Sequence, residues 1–88
     1  MDNKLKQEII KREDKYYFVS TIEVQSFFDD YNYETMIFTC DKEGEVEDWQ
    51  DLYCEKYKTI EEANNGHQEI IENFDNLDLN KKEEEFWK

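Results

Sequence analysis

The spacing of apolar positions along this chain changes twice. From Asp2 to Asp14, Leu5, Ile9 and Ile10 recur at helical spacing among Lys and Glu, which predicts a short amphipathic helix with a narrow apolar stripe. A stripe that narrow has to dock on something or fray. From Lys15 the period becomes two. Tyr16 to Val24 is dense in aromatic and β-branched residues and predicts a strand, and Tyr33 to Cys40 predicts a second. Ser26 to Asn32 connects them, and Asp41 to Glu45 is a turn in which Gly44 can supply a positive φ. Leu52 to Tyr57 predicts a third strand, with Val46 to Asp51 as either its ragged start or a loop.

Thr59-Ile60-Glu61-Glu62 has the form of a capping box, and Glu61 and Glu62 suit the positive end of a helix dipole. The helix that follows carries Ala63, Gly66, His67, Ile70, Ile71 and Phe74 on or near one face. Its small residues allow a close approach to a sheet, which gives Gly66 a purpose despite a cost of about 1 kcal/mol against Ala. The expected fold is therefore α+β. A three-stranded antiparallel meander carries one C-terminal helix and a short N-terminal helix, in the order α-β-β-β-α. Residues 1–14 form the N-terminal helical extension and residues 15–75 the core domain. Residues 76–88 form an acidic and aromatic tail, read either as a frayed helix or as a mobile arm.

Alternation places Phe18, Ser20 and Ile22 on one face of the first strand and Tyr17, Val19 and Thr21 on the other. Met36, Phe38 and Cys40 likewise oppose Tyr33, Thr35 and Ile37 on the second. One helix covers one face of such a sheet. The second face, rich in Tyr and β-branched residues, is expected to take the N-terminal helix as its cover. Left bare, it would be a binding or dimer surface.

Composition narrows the functional classes. Eighty-eight residues suffice for one modest core, and six Phe, six Tyr and two Trp supply large buried areas for it. No apolar run reaches the length of a membrane helix, and no secretory leader is visible, so a cytosolic setting with Cys40 and Cys54 reduced is expected. The two cysteines lie on neighbouring strands, close enough on this reading for an adventitious disulfide. The net charge is −13, and its distribution is uneven: residues 1–15 sum to +1 and residues 16–88 to −14. Such a surface repels nucleic acid and anionic membranes and attracts basic protein faces.

Catalytic constellations are weak. Cys54 and His67 could be imagined as nucleophile and base, but there is one His, nothing placed to orient it, and Cys54 falls mid-strand. A structural thiol and a helix histidine explain them better. No Cys-x-x-Cys or close His pair supports zinc. In the acidic run from Asp41 to Asp51, Gly44 stands fourth where a calcium loop needs glycine sixth. No enzyme activity, metal or cofactor is expected.

The segments Tyr16 to Ile22, Tyr33-Glu34-Thr35-Met36-Ile37-Phe38 and Leu52-Tyr53-Cys54-Glu55-Lys56-Tyr57-Lys58-Thr59, with Glu61-Glu62-Ala63 and Gly66-His67, resemble a family of small bacteriophage and prophage proteins. The resemblance spans roughly residues 16–74 and implies a phage product acting in the cytoplasm of an infected bacterium. It supplies no reaction. In that setting the acidic run acquires a purpose. Glu43, Glu45 and Glu47, if extended, would share one face about 6.6 Å apart, with helix carboxylates such as Glu61, Glu62, Glu69 and Glu72 as further negative points. This spacing is of the order found along one DNA strand. The expected function is a small acidic inhibitor of the anti-CRISPR or anti-restriction type. It would occupy a basic nucleic-acid-binding surface of a bacterial protein through Glu43, Glu45, Glu47, Asp48 and Asp51, with Trp49 as an aromatic anchor. The alternative is a non-enzymatic adaptor or assembly protein using an exposed aromatic sheet face, a reading that favours a homodimer.

Overall fold

The computed structural model describes residues 4–25 and 30–79, and in it the chain opens with a strand where the apolar spacing predicted a helix. Strand β1 (Lys4–Arg12) pairs antiparallel with β2 (Lys15–Glu23), from Arg12 opposite Lys15 out to Lys4 opposite Ile22. Strands β3 (Tyr33–Cys40) and β4 (Val46–Tyr57) follow. Together they make a four-stranded antiparallel sheet in the order β1-β2-β3-β4, and one helix, α1 (Ile60–Glu72), packs on it before a 3-10 turn at Phe74–Asn76.

The expected three-stranded meander with an N-terminal helix is thus corrected, and the reason lies in β2. That strand is apolar on both faces, the mark of a strand inside a sheet, and without β1 its outer N–H and C=O groups would lack partners. β1 satisfies them. Ile9 and Ile10 then point to opposite faces, Ile10 toward the core and Ile9 away from it. The lysines of β1 are the ordinary protection of an edge strand. The connecting turn is only Glu13-Asp14, and Glu13 holds a left-handed φ of 59° without being glycine. The division expected after residue 14 therefore falls on a hairpin turn inside one sheet.

The helix lies on the face of Tyr17, Val19, Thr21, Thr35 and Ile37. This is the face rich in Tyr and β-branched residues, which had been expected to take an N-terminal helix. Val19, Thr21, Thr35 and Ile37 are completely buried there. Their short side chains accept the close approach of Ala63, Gly66 and His67, which bulky Phe18, Met36 and Phe38 on the other face would not. Ile70 and Phe74 complete the core, Phe74 tilting against Tyr17 at 5.4 Å between ring centroids. The capping box forms: Glu62 N–H donates to Thr59 Oγ1 at 3.1 Å and Glu62 Oε1 accepts from Thr59 N–H at 3.2 Å. Beyond the helix, the Arg12 guanidinium donates to the carbonyls of Phe74 (3.3 Å) and Leu77 (3.0 Å), fastening the chain after α1 to β1. Leu77 and Leu79 pack against the core, and the rest of the predicted tail, 80–88, lies outside the described residues.

Candidate functional site

The β3–β4 hairpin is organised by one carboxylate. Asp41 Oδ1 accepts from the backbone N–H of Glu43 (2.9 Å) and of Glu45 (3.0 Å), and Gly44, at φ 88°, donates its N–H to the Asp41 carbonyl. Glu43 and Glu45 therefore sit on a tight turn. The extended row of Glu43, Glu45 and Glu47 at even spacing does not form, because glycine's left-handed geometry interrupts it. A Cβ at Gly44 would press on Ile9, so the turn reaches across the face away from the helix to touch β1.

Beyond the turn β4 is irregular. Cys40 pairs with Val46 and Thr39 with Asp48, but Ile37 pairs with Tyr53, so residues 49–52 oppose Phe38 alone. This excess of chain pushes Trp49 outward. Its ring stands edge-on to Phe38, 5.2 Å between centroids at 64°, and remains 70% exposed. Glu43, Glu45, Glu47 and Asp48 are exposed around it and Asp51 is half-buried. Asp48 has a structural duty as well, its Oδ1 accepting from Gln50 N–H at 3.0 Å. The six residues named from the sequence thus share one end of the molecule. The carboxylates of α1 do not join them, since the helix lies across the sheet; Glu62 is spent on the capping box and Glu72 accepts from Gln68.

Beside Trp49 the open face of the sheet forms a concavity of about 330 Å³, floored by Phe18, Ile22, Met36 and Phe38. Gln7 Nε2 donates to Ser20 Oγ at 3.0 Å on its β1 side, where Lys4 forms part of the rim. No family model, curated protein or solved structure matches this chain.

Cys54 and His67 are on opposite faces of the sheet, Cys54 opposite Met36 and His67 against Thr21. Nor do the cysteines face each other. Cys54 is offset by four residues of β3 from Cys40, about 13 Å at strand spacing, and no disulfide joins them. Among the described residues no group of three or more His, Cys, Asp and Glu side chains is placed to hold a metal ion.

The helix-side face holds a polar row that the sequence did not reveal. His67 Nε2 meets Glu8 Oε1 at 3.0 Å, His67 Nδ1 meets Thr21 Oγ1 at 2.7 Å, and Thr21 Oγ1 bonds Thr35 Oγ1, which in turn bonds the Tyr57 hydroxyl. The order hydroxyl–imidazole–carboxylate is that of a nucleophile triad, but Thr21, Thr35 and His67 have no solvent exposure. As placed, the Thr21 hydroxyl is sealed from any substrate. The Tyr57 hydroxyl also donates to Glu55 Oε2 at 3.5 Å, so the row runs from the Glu8 carboxylate to the Glu55 carboxylate. All four strands and the helix contribute to this row, which suits it to holding their register.

Three acidic groups are held protonated beyond their usual range. Burial raises the Tyr57 hydroxyl despite its bond to Thr35, and burial followed by the Glu55 charge raises Tyr53. Burial, then the charges of Asp41 and Glu47, raises the Cys40 thiol and leaves it a poor nucleophile. A group whose folded-state pKa is raised adds stability that is complete below its unfolded pKa and is lost as pH climbs toward the folded value. The stability of this domain is therefore expected to be level to about pH 8 and to fall above about pH 9–10, where unfolded Cys and Tyr ionise. Each such group steepens the fall by about 1.4 kcal/mol per pH unit. Urea midpoints measured across that range test this, and a midpoint unchanged up to about pH 11 would contradict it.

Proposed function

We propose that this chain is a non-enzymatic, phage-encoded inhibitor that occupies the basic nucleic-acid-binding surface of a bacterial defence or nucleic-acid enzyme. The observation that carries this reading is the chemistry of one stretch: residues 43–55 hold six acids and no base, and Trp49 stands exposed in their midst. Carboxylates of one sign steer a basic partner and hold its register, while an exposed aromatic ring supplies the kind of anchor on which binding energy concentrates. The charges act as a patch around that anchor, since the turn at Gly44 removes the even spacing of a nucleic-acid backbone. The resemblance of the Tyr33–Phe38 and Leu52–Thr59 segments to phage proteins supports the cytoplasm of an infected bacterium as the setting. No helix among the described residues is long and apolar enough to cross a membrane.

The test is the triple variant Glu43→Lys/Glu45→Lys/Glu47→Lys, which leaves Asp41 and Asp48 to their backbone duties. The enzyme to assay is found by capture from bacterial lysate at low salt and release at high salt. The variant should keep its urea midpoint within about 0.5 kcal/mol and lose both capture and inhibition. Undiminished inhibition by the folded variant would sink the proposal. A second reading, an adaptor binding through its open sheet face, is favoured by the apolar concavity beside Trp49. Its complex would resist salt, and a sizing column would reveal a dimer if the partner were a second copy.

A further inference from the structure

Building on the proposed binding of a basic surface, we infer that the concavity on the open face is a seat for one bulky aliphatic or aromatic side chain presented by a lysine- or arginine-rich segment of the partner protein. The floor of Phe18, Ile22, Met36 and Phe38 is apolar, and Trp49 forms one wall. Its volume of about 330 Å³ exceeds that of a single side chain, so a branched or aromatic residue can enter together with part of its backbone. The wall also marks the electrostatic boundary. Trp49 follows the exposed carboxylates of Glu47 and Asp48 in the chain, so an occupant's flanking residues on that side meet negative charge, while among the described residues Lys4 is the one charged residue that lines the concavity itself.

That boundary selects among occupants. A second copy of this chain would bring a −13 surface against itself, with the same carboxylates at the contact. Nucleic acid and anionic lipid headgroups meet the same repulsion. A protein segment with an apolar residue between bases satisfies both halves of the site, the apolar residue adding affinity that charge alone does not. The concavity thereby gives the inhibitor a means of choosing among basic surfaces, which an acidic patch by itself would not.

The experiment uses the whole chain and two synthetic lysine-rich peptides that differ only at the central residue, Leu in one and Ala in the other. The protein has two methionines, Met1 and Met36, so a ¹³C-methyl methionine spectrum reports on the floor through a single assignable resonance. The leucine peptide should bind about 10- to 100-fold more tightly than the alanine peptide and should shift the Met36 methyl. Trp49→Ala should remove most of that difference while leaving the weaker, salt-sensitive binding of both. Equal affinities with an unmoved Met36 methyl would overturn the seat and leave the charge reading standing, provided both complexes weaken with salt and with Glu45→Lys/Glu47→Lys. Failure of both peptides to bind at low salt would overturn the two together. A Met36 methyl that moves with protein concentration alone would assign the face to a second copy and reject the proposed occupant.

Discussion

Replacing His67 by alanine is expected to cost the fold about 3–5 kcal/mol, the largest effect of any single truncation in this domain. The imidazole is completely buried and joins β1 to β2 under the helix through Glu8 and Thr21. Its removal leaves a cavity at the centre of the α1 contact and takes a hydrogen-bond partner from the Thr21 hydroxyl, which has no solvent to turn to. Glu8, 44% exposed at its side chain, can rehydrate and adds little to the penalty. A domain of this size has about 5–15 kcal/mol in all, so the variant should be partly unfolded at room temperature. The cause can be separated by two further proteins. His67→Leu fills the volume and strands the Thr21 hydroxyl, for an expected loss of about 1–3 kcal/mol. Adding Thr21→Val together with Thr35→Val removes the stranded hydroxyls, leaves the Tyr57 hydroxyl its bond to Glu55, and should recover most of that loss. Urea denaturation of the three variants decides it. A His67→Ala protein within about 1 kcal/mol of the parent would mean that the row does not hold the sheet and helix together as described.

How far the sequence discloses this architecture depends on which interactions a pattern can carry. The strands from Lys15 to Glu23 and from Tyr33 to Cys40, the Gly44 turn and the capped helix all have local signatures, and each forms in place. Residues 4–12 do not. Leu5, Ile9 and Ile10 satisfy a helical period as well as a strand that is wetted on one side, and the turn after them is Glu13-Asp14, without the Gly or Asn that announces a hairpin. The deciding fact is remote: β2 is apolar on both faces and needs a neighbour at each edge.

The choice of covered face was legible in principle. Ala63, Gly66 and His67 make a shallow helix surface, which fits Val19, Thr21, Thr35 and Ile37 better than Phe18, Met36 and Phe38. Reading the strand faces against the shape of the helix would have identified the open face and, with it, the concavity beside Trp49. The acidic end was legible in position but not in form, because the capture of two backbone amides by Asp41 bends Glu43 and Glu45 out of any extended row. The polar row from Glu8 to Tyr57 was not legible at all. Glu8, Thr21, Thr35 and His67 are each unremarkable in their own segments, and only the register between Thr21 and Thr35 and the placement of α1 bring them together.

Gly66→Ala is expected to lower stability by about 1–3 kcal/mol, although the same change in an exposed helix would raise it by about 1 kcal/mol. The opposite signs make this a sharp test of how α1 meets the sheet. A Cβ on residue 66 would lie 2.5 Å from the Tyr57 hydroxyl oxygen and 2.6 Å from the ring carbon that bears it. The ring has little freedom to retreat, because its hydroxyl is bonded to Thr35 below and the residue is buried at the end of β4. Either the helix lifts from Val19 and Ile37, losing apolar contact, or Tyr57 gives up its bond to Thr35 and disturbs the row that ends at His67. The expected fall in Tm is about 4–8 °C for each kcal/mol lost in a domain of this length. A double-mutant cycle with Tyr57→Leu then assigns the cause: with the ring gone, Gly66→Ala should become neutral or stabilising, a coupling of about 1–3 kcal/mol between two residues nine apart in sequence. A stabilising Gly66→Ala in the parent protein would mean that the helix stands farther from β4 than Tyr57 requires, and that the glycine serves backbone geometry or nothing at all.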